Sequence, residues 1–474
     1  MSDLTVTLTP IPGLLVVNLA VHADSRGWFK ENWQRAKMTA LGLPDFGPVQ
    51  NNMSHNEAPG VTRGLHAEPW DKLITVASGR IFGAWVDLRE GPTFGACHTL
   101  EIGPETAVFV PGGVANGYQT LTADVTYSYL VNEHWSPEAR ASYTYLNLAD
   151  EQIAIEWPVP LTEATVSAAD LVHPRLDEIT AAPRPRTVVL GAAGQVGRAL
   201  LAALPDAVGL SRADLDITDA DAVARYPWAG VGTVINAAAY TDVDGAETAE
   251  GRAHAWQVNV SAVAALVAAA RRHRLTLVQV SSDYVFDGRA RSHDEDELPA
   301  PLSTYGATKA AGDALVATLP DHYIVRTSWV VGEGRNFVRT MAALARRGAA
   351  PSVVDDQEGR LTFADDLAAG IVHLLRTAAP YGVYHLTNEG PTVSWYEIAR
   401  RVFDLTGRDP DAVHPCSSAA FSSGRIVAAR PRHSTLALTR FAALGFVPRT
   451  AEQALRAYLG DAQATVPAPP GPGR

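Results

Sequence analysis

Short runs of alternating apolar and polar residues follow one another up to about Pro160. Lys72–Arg89 contains two such runs around a Ser-Gly-Arg turn, and Thr106–Leu121 and Asp124–Val131 continue the same pattern. No long stretch with the 3.6-residue period of an amphipathic helix interrupts these runs. The pattern predicts an all-β sandwich or barrel for this part of the chain.

The pattern changes at Arg186, after which short apolar runs alternate with helical stretches. Thr187–Gly191 has the pattern of a buried strand, and a Gly-rich turn and a helical pattern follow it. Leu275–Ser282 and His322–Val330 are two of the later strand patterns. Strands that alternate with helices form a parallel sheet with helices on both faces. This part of the chain is therefore predicted to be a doubly wound α/β domain.

The two patterns meet in a stretch without periodicity that is rich in proline and arginine, residues 177–186. Such a stretch is typical of a linker. The expected organisation is an all-β domain over residues 1–176, this linker, an α/β domain over residues 187–462, and a tail. The tail, residues 463–474, is rich in proline and glycine, a composition that predicts disorder.

The bulk composition excludes several classes of protein. A chain of 474 residues with 47% hydrophobic residues can build at least two cores, and a net charge of −12 argues against nucleic-acid binding. The longest apolar run, Val260–Arg272, is Ala-rich and ends in arginines, which predicts a buried helix rather than a membrane span. Cys97 and Cys416 form neither a disulfide framework nor a metal-binding spacing. We therefore expect a cytoplasmic protein with neither a nucleic acid nor a membrane as its partner. No metal-ligand cluster stands out in the sequence, so no metal is expected, while a divalent ion in the second part of the chain stays open.

A glycine-rich turn, GAAGQVG, joins the first strand of the second part to its helix. Glycines at this place allow a tight turn and a close approach of the backbone to a pyrophosphate, which the helix N-terminus attracts. The turn therefore predicts a dinucleotide-binding loop. Its candidate cofactor-binding residues are Gly191, Gly194, Gln195, Val196 and Gly197. Arg212 at the end of the second strand suits the extra phosphate of NADPH, while Asp214 and Asp216 close by leave NADH as an alternative.

A hydroxyl, a tyrosine and a lysine follow in the same part of the chain. Ser282 stands at the end of a strand, and Tyr305 and Lys309 are spaced so that they share one face of a helix. The lysine charge is expected to lower the pKa of the phenol, which makes Tyr305 a proton donor near neutral pH. Ser282 can bond the same carbonyl oxygen of a substrate, and Lys309 can also hold the ribose of the cofactor. These residues predict hydride transfer to a ketone.

The second part also resembles a known family. The stretches VINAAAYTDVDGAE, SSDYVFDG, YGATKAAGD and RTSWVVGEGRNFV resemble the extended short-chain dehydrogenases and, within them, dTDP-4-dehydrorhamnose reductase. The resemblance implies a Rossmann domain with a small C-terminal substrate lobe, and it places Trp329 and Arg360 near the sugar nucleotide. The residues that it places along the cofactor are Asn236, Ala237, Ala238 and Ala239.

Acid–base residues cluster in the first part of the chain. Arg63, His66 and Lys72 surround one turn of the strand region, where histidine can act as a general base and lysine can stabilise an enolate. Tyr129 lies further on as a proton donor, and Asp170 can orient a histidine. A lone histidine on a strand is more often structural, but this combination of residue types favours catalysis.

Residues 4–176 or thereabouts resemble dTDP-4-dehydrorhamnose 3,5-epimerase, a jelly-roll (cupin-like) family, on stretches such as DSRGWFKENW, GVTRGLH and VSAADLVHP. The resemblance implies that His66, paired with Asp170, removes protons from the carbons beside a 4-keto group. Lys72 would stabilise the enolate, and Tyr129 would return a proton on the opposite face. Homodimerisation through this domain is a further implication. The residues implied in substrate binding are Arg26, Glu31, Gln50, Asn52 and Arg63.

The chain departs from the epimerase pattern at several places, among them Trp28, where members more often have phenylalanine or tyrosine, and Ala67, where an aromatic residue is common. Asn116 stands where the family commonly has histidine. The stretch AEPWD, residues 67–71, replaces a longer loop that contains glutamine. None of these changes removes the four acid–base residues.

The two resemblances share one substrate. Epimerisation beside a ketone would give the 4-keto-L-sugar that the second domain would reduce. The chain is therefore expected to convert dTDP-4-dehydro-6-deoxy-D-glucose to dTDP-L-rhamnose with NADPH. Joining the two steps in one chain raises the effective concentration of the intermediate at the second site.

Two alternatives stay open. The same chemistry could give another dTDP-deoxy-L-sugar of the 6-deoxy-L-talose or dihydrostreptose type, or the first domain could be a non-catalytic binding or dimerisation module on a reductase.

Overall fold

The structure, a computed structural model, describes residues 4–183, 185–228, 230–424 and 426–464. The chain divides into two compact units, residues 1–184 and residues 185–474. The division falls within the predicted linker, where the backbone N–H of Ala182 donates to the Leu88 carbonyl oxygen at 2.8 Å. Most of the tail predicted to be disordered, from residue 465 onwards, lies outside the described residues.

The first unit is rich in strands, as its alternating pattern predicts. Among its described residues, one α-helix, α1 (Arg35–Ala40), and three short 3-10 helices interrupt the strands. Its strands are β1 (Thr5–Leu8), β2 (Leu15–Asn18), β3 (Val21–Asp24), β4 (Gly27–Lys30), β5 (Gln50–Asn56), β6 (Val61–Ala67), β7 (Lys72–Ser78), β8 (Ile81–Asp87), β9 (Cys97–Ile102), β10 (Thr106–Val110), β11 (Val114–Thr120), β12 (Val125–Val131), β13 (Thr144–Tyr145) and β14 (Thr165–Val166).

Two largely antiparallel sheets and a separate antiparallel hairpin, β3–β4, form this unit. One sheet has the order β1-β2-β10-β7-β12-β5, and the other has the order β13-β6-β11-β8-β9, with β14 parallel to β6. Ile74 and Val76 of the first sheet meet Trp85 and Tyr118 of the second in one apolar core. Because alternate residues of a strand share a face, Lys72 lies on the core-facing side of β7 with Ile74. The space between the sheets is therefore apolar at its centre and carries polar groups at one end.

The second unit alternates strands and helices, as predicted. Its strands are β15 (Arg186–Leu190), β16 (Val208–Leu210), β17 (Val231–Asn236), β18 (Thr276–Ser282), β19 (His322–Thr327), β20 (Val330–Val331), β21 (Ser352–Val354), β22 (Glu358–Gly359), β23 (Thr362–Phe363), β24 (Gly382–His385), β25 (Val393–Ser394) and β26 (His414–Cys416). Its helices are α2 (Gln195–Ala203), α3 (Ala220–Arg225), α4 (Ala249–Trp256), α5 (Ala262–His273), α6 (Thr304–Val316), α7 (Phe337–Arg346), α8 (Ala364–Arg376), α9 (Trp395–Leu405), α10 (Ser418–Ser422), α11 (Thr439–Ala443) and α12 (Ala451–Ala464).

A parallel sheet of order β16-β15-β17-β18-β19-β24 forms the centre of the second unit. Val188 and Leu190 of β15 pack on one face with residues of α5, and Val189 packs on the other face with residues of α2 and α8. The chain passes from β15 to β16 and then to β17 on the opposite side of β15, so the winding reverses there. Doubly wound sheets bind ligands at the carboxyl ends of the strands at this point.

The strand order differs in one respect from the Rossmann order that the family resemblance implies. One strand, β16, lies beyond β15, whereas the common dinucleotide-binding order has two strands there. The segment between β16 and β17, residues 211–230, contains α3. A further parallel strand would need an additional crossover of a dozen or so residues, for which this segment is too short.

A smaller lobe follows in the second unit. Its apolar cluster joins α7, α9 and α12 through side chains such as Met341, Phe403 and Leu455. Three two-stranded pairings, β20-β23, β21-β26 and β22-β25, lie outside the main sheet. The arrangement agrees with the predicted small C-terminal lobe.

The run predicted to be a buried helix forms α5, which a π-helical segment, Gln257–Ser261, joins to α4. By length and composition alone, the continuous helix Ala249–His273 meets the requirements for crossing a membrane. Val263 and Leu266 are, however, buried in the core that covers one face of the parallel sheet. This packing explains the apolar run without a bilayer.

A buried ion pair ties α6 to the sheet. The Nε of Arg326 in β19 donates to Oδ2 of Asp313 in α6 at 3.1 Å, and only 5% and 4% of the two side chains are exposed. The Arg326 guanidinium also lies 5.2 Å from the centre of the Phe286 ring. Removing one partner of such a pair leaves an uncompensated charge in the interior, which costs more than replacing both.

We expect Asp313→Ala to lower the free energy of unfolding of the second unit by about 3–5 kcal/mol, because Arg326 keeps its charge in the interior. Urea unfolding of the full chain, followed by circular dichroism, measures the change. The double variant Asp313→Leu with Arg326→Met replaces the pair by apolar side chains and should lose less. Equal stability of Asp313→Ala and the wild type would contradict this account.

Two candidate active sites

A cleft of about 970 Å³ opens at the carboxyl ends of β15, β17 and β18, where the winding of the sheet reverses. Most of the predicted cofactor residues line it, namely Gly191, Gly194, Gln195, Val196, Arg212, Ala237, Ala238 and Ala239. The predicted catalytic and substrate residues on its walls are Ser282, Tyr305, Lys309 and Trp329. Three predicted residues are not part of the lining, namely Gly197, Asn236 and Arg360.

Two glycines hold the loop after β15 in close contact with its surroundings. Gly191 has a φ of +73°, and a Cβ there would lie 2.7 Å from the backbone nitrogen of Ala238. A Cβ on Gly197 would lie 2.2 Å from the Gly191 carbonyl oxygen, so this glycine packs the helix against the loop. The helix α2 begins at Gln195, and its N-cap residue, Gly194, has no side chain that could accept a hydrogen bond. The first N–H groups of α2 therefore face the cleft as an anion site would require.

The residues that bear on cofactor choice follow β16. The Arg212 side chain is 82% exposed, and its Nε donates to Asp216 Oδ2 at 3.1 Å. Asp214 instead accepts hydrogen bonds from the backbone N–H and the hydroxyl of Ser211, at 2.8 and 2.6 Å. Ser211, Arg212 and Asp216 line the cleft. The exposed guanidinium is thus placed where a phosphate group could bind it.

Asn236 lies below the cleft wall. Its side-chain amide donates to Gln279 Oε1 at 2.9 Å, and its side-chain oxygen accepts from the Ala238 N–H at 3.2 Å. The residue is fully buried. Asn236 therefore shapes the loop that carries Ala237, Ala238 and Ala239 into the cleft.

Ser282, Tyr305 and Lys309 come together on the wall of the cleft. The strand β18 ends at Ser282, and Tyr305 and Lys309 lie about one turn apart on α6. The Ser282 hydroxyl donates to Asp283 Oδ1 at 2.9 Å, and the Lys309 ammonium donates to the Val280 carbonyl at 2.7 Å. A hydroxyl, a phenol and an ammonium thus face one space.

The structure corrects the expectation that Lys309 lowers the pKa of Tyr305. Burial raises the pKa of Tyr305 to about 12, and a hydrogen bond with Ser282 offsets part of that rise. The Lys309 ammonium is directed to the Val280 carbonyl and is paired electrostatically with Asp313. Burial lowers the pKa of Lys309 to about 8, and the Asp313 charge opposes this change. Tyr305 is therefore protonated at neutral pH, the state in which a phenol donates.

Trp329 lies on the cleft wall in an unusual backbone conformation. Its φ is +47°, a value that residues other than glycine rarely adopt, and its ring stacks on Trp395 at 3.8 Å. Trp395 lines the cleft as well, although nothing in its local sequence predicted this. Arg360 is not part of the cleft lining, and its Nη1 donates to the Leu436 carbonyl oxygen at 3.4 Å.

A pocket of about 190 Å³ lies in the first unit, among residues of both sheets. Four of the predicted residues line it, namely Arg63, His66, Lys72 and Tyr129. Glu68 and Asn116 also lie on its walls. The polar end of the space between the sheets is therefore a site where a base, an ammonium and a phenol meet.

His66 on β6 is paired with Asp170, which lies 104 residues further along the chain. The Nε2 of His66 and Oδ1 of Asp170 are 2.9 Å apart. Burial raises the pKa of Asp170, but the hydrogen bond and charge of His66, together with Ser167 and His173, outweigh this effect, so the pKa lies below its ordinary value. The ring of His66 also has two aromatic neighbours, Tyr145 at 5.4 Å and His173 at 5.5 Å between ring centres.

His173 was not predicted from the sequence, because only folding brings it to the pair. The ligand atoms of His66, Asp170 and His173 all lie within 4.8 Å of one another. Imidazole nitrogens and a carboxylate at such distances are compatible with a divalent ion. The expectation that this protein holds no metal therefore stays a prediction.

The Lys72 ammonium is held by side chains from two directions. It forms an ion pair with Glu68, and it donates to Asn116 Oδ1 at 2.6 Å. Burial lowers the pKa of Lys72, and the charge of Glu68 opposes the change. Asn116 thus serves as a neutral acceptor for the lysine. Nothing in the local sequence marked Glu68 as a site residue.

Tyr129 on β12 faces the same pocket from the sheet that also carries Lys72, opposite the sheet of His66. Its ring centre lies 5.8 Å from the Lys72 Nζ. Burial raises the pKa of Tyr129, the charge of Glu68 raises it further, and a hydrogen bond with Asn52 opposes both effects. The phenol is therefore protonated at neutral pH. Among the predicted substrate residues, Asn52 touches Tyr129 directly.

Of the remaining predicted substrate residues of this unit, one lines the pocket and the others lie outside its lining. Arg63 lines the pocket, and its Nε donates to Asn56 Oδ1 at 3.1 Å. Arg26 lies between β3 and β4 with 88% of its side chain exposed. Glu31 and Gln50 are also absent from the pocket lining. One chain by itself therefore brings Arg63, but not Arg26, to the pocket.

Comparison with known proteins matches the two units to two families. Residues 8–178 match the family described as dTDP-4-dehydrorhamnose 3,5-epimerase. Residues 185–464 match the family described as RmlD substrate binding domain. The two matches divide the chain where its structure divides.

Individual relatives repeat this division. The chain is 49% identical to a protein named RmlC homolog from Streptococcus pyogenes, over 36% of this chain and 87% of that protein. It is 38% identical to a dTDP-4-dehydrorhamnose reductase from Aggregatibacter actinomycetemcomitans, over 57% of this chain and 97% of that protein. A crystal structure of dTDP-4-dehydrorhamnose reductase from Bacillus anthracis in complex with NADP is similar with a TM-score of 0.55 and 33% identity. The similarity covers 59% of this chain and 99% of that one.

We expect Gly191→Ala to weaken the binding of a reduced dinucleotide by about 10- to 100-fold, because a Cβ collides with the backbone that lines the cleft and strains a positive φ. Titration followed by cofactor fluorescence measures the dissociation constant. Gly230→Ala is the matched control, since Gly230 also has a φ of +73° but a Cβ there would meet no atom within 4 Å. Equal loss of affinity in both variants would contradict the steric role of Gly191.

Proposed function

Because the chain belongs to the dTDP-4-dehydrorhamnose 3,5-epimerase family in its first unit and to the RmlD substrate binding domain family in its second, we propose that it is a bifunctional enzyme that makes dTDP-L-rhamnose. The first unit epimerises dTDP-4-dehydro-6-deoxy-D-glucose, and the second unit reduces the product with NADPH. The observation that carries the proposal is the presence, in one chain, of the His66–Asp170 pair and of the Tyr305–Lys309 pair at a cleft suited to a dinucleotide.

The epimerase chemistry follows from the acidity of a C–H bond beside a ketone. His66 takes the proton, and its bond to Asp170 through one ring nitrogen leaves the other nitrogen as the base. Lys72 stabilises the negative charge that moves to the 4-oxygen. Tyr129 returns a proton. Since His66 and Tyr129 belong to different sheets, they can approach the sugar from opposite faces, which inversion requires.

The residues that line the cleft of the second unit fit a dinucleotide. The backbone around Gly191 has no room for a Cβ, so a glycine there lets a pyrophosphate come close to the backbone. NADPH, when bound, supplies hydride to the carbonyl carbon. Tyr305 donates its phenolic proton to the carbonyl oxygen, and Ser282 holds that oxygen by a hydrogen bond. Lys309, which lies about one turn from Tyr305 on α6, can hold the ribose. Trp329 forms an aromatic wall for the sugar nucleotide.

Two features support NADPH as the cofactor. Arg212 presents an exposed guanidinium at the end of β16, where the second phosphate of NADPH would need a cation. The related reductase from Bacillus anthracis was crystallised in complex with NADP. When that phosphate binds, Arg212 would exchange its hydrogen bond to Asp216 for one to the phosphate.

The covalent joining of the two steps has a physical benefit. The product of the first step is a reactive keto sugar, and it is the substrate of the second. Two active sites on one chain raise the effective concentration of that intermediate at the reductase. This benefit does not require that the two sites share a channel.

We further propose that the first unit forms a homodimer. Arg26, Trp28 and Phe29 lie exposed on the β3–β4 hairpin, away from the pocket of their own chain. A partner chain that received this hairpin would bury both aromatic rings, and aromatic side chains are enriched in such interfaces.

The free thiols Cys97 and Cys416 agree with the reducing cytoplasm as the compartment.

Replacing His66 with alanine should abolish proton exchange at the sugar, since the general base is lost. With unlabelled NADPH in D2O, mass spectrometry of the wild-type product should find two carbon-bound deuterons, one each at C3 and C5. The variant should form product more slowly by about 100-fold or more, and any reduced sugar should carry no deuterium. His55→Ala, at an exposed position on β5, serves as the control. Full deuteration by the His66 variant would mean that the first unit is not catalytic in the way proposed.

Replacing Tyr305 with phenylalanine should lower kcat for reduction by about 100- to 10,000-fold, because the alkoxide loses its proton donor. The absorbance of NADPH measures the rate. Exchange of sugar protons in D2O, which depends on the first unit, should continue at the wild-type rate. Tyr226→Phe, in the second unit beside Trp228, controls for the loss of a hydroxyl. A Tyr305 variant with wild-type reduction would refute the assigned proton donor.

A further inference from the structure

Lys72 carries its charge inside the protein. Only 5% of its side chain is exposed, and it stands at the start of β7, next to residues of the apolar core. Taking an ammonium out of water is costly unless an opposite charge and hydrogen bonds replace the water. The partners of this ammonium therefore decide whether Lys72 remains charged.

Three elements supply those partners. Glu68, in the turn between β6 and β7, forms an ion pair with the ammonium, and only 10% of its side chain is exposed. Asn116 on β11 accepts a hydrogen bond at 2.6 Å, and Tyr129 on β12 places its ring centre 5.8 Å away. Of these three partners, Glu68 alone bears a negative charge.

The position of Glu68 is set by the strand before it. Glu68 directly follows the last residue of β6, Ala67, and is separated from His66 by that one residue. Both line the pocket, together with Lys72. The short turn that follows Glu68 then brings the lysine back to it. The short stretch AEPWD thus delivers a carboxylate to the ammonium.

We propose that Glu68 is a positioning residue of the epimerase half, which aims the Lys72 ammonium into the pocket and holds it in its charged form for the enolate oxygen. This proposal rests on the proposed function of the first unit. A lysine ammonium has three donor hydrogens. Glu68 and Asn116 engage two of them, which leaves the third for the 4-oxygen of the sugar.

The charge of Glu68 should affect how the activity of the first unit depends on pH. Burial lowers the pKa of Lys72, and the charge of Glu68 raises it. A neutral side chain at position 68 therefore lets the ammonium lose its proton at a lower pH. Because enolate stabilisation needs the protonated amine, activity should fall first on the basic side. The other titratable side chains around the pocket are Arg63 and His66 on β6, Tyr118 on β11, and Tyr127 and Tyr129 on β12.

The test uses the full chain without NADPH, so that the first unit is observed alone. The chain is mixed with dTDP-4-dehydro-6-deoxy-D-glucose in D2O, and NMR follows the exchange of the C3 and C5 protons over a series of pH values. Glu68→Gln removes the charge with little change of shape, and Glu68→Asp keeps the charge. Glu101→Gln, at an exposed position on β9, is the matched control.

We expect Glu68→Gln to slow exchange at neutral pH by about tenfold or more and to move the basic limb of the profile down by about one to three pH units. Glu68→Asp should keep the basic limb close to that of the wild type, and Glu101→Gln should match the wild type throughout. Thermal unfolding of each variant shows that the chain is folded at the assay temperature.

Two results would overturn the proposal. One is an unchanged rate and pH profile in Glu68→Gln. The other is a loss of rate that is equal at every pH and that Glu68→Asp does not restore, since a purely structural side chain would give this result. Absence of exchange in the wild-type chain would instead refute the proposed epimerase activity, so the two failures are distinguishable.

Discussion

The cost of burying a lysine ammonium is the constraint on which both sites depend. Lys72 in the first unit and Lys309 in the second lie inside the protein, and burial lowers the pKa of each. In both places a carboxylate four residues away opposes the change, Glu68 before Lys72 and Asp313 after Lys309. A charged amine in a dry pocket stabilises negative charge on a reacting oxygen strongly, but only while it keeps its proton.

Each carboxylate reaches its lysine by a different structural route. In the second unit Lys309 and Asp313 share one face of α6, and Arg326 on the neighbouring strand holds Asp313 in the interior. In the first unit no helix is involved, and the turn between β6 and β7 returns the chain so that Glu68 meets Lys72. The same electrostatic requirement is therefore met by helical periodicity in one fold and by a tight turn in the other. Each solution links the chemistry of its site to the stability of its unit.

Local patterns in the sequence were sufficient for the elements of the fold and for part of each site. Alternation with a period of two predicted the strands of the first unit, and the spacing of Tyr305 and Lys309 predicted their shared helix face. The glycines after β15 predicted the loop that opens the cleft, because a tight turn is a property of a few consecutive residues. The order of the parallel sheet did not follow from such patterns, since several orders satisfy the same alternation of strands and helices.

The sequence by itself determined which chemical groups the protein has and which of them are neighbours along a strand or a helix turn. Only the tertiary structure decided which distant groups meet, as His66 meets Asp170 and His173 or as Trp329 stacks on Trp395. It also decided the burial of each charge. That is why the pKa of Tyr305, expected to fall beside a lysine, is instead raised to about 12 by its desolvated surroundings. Burial and long-range contact are properties of the packed chain, and no short window of residues contains them.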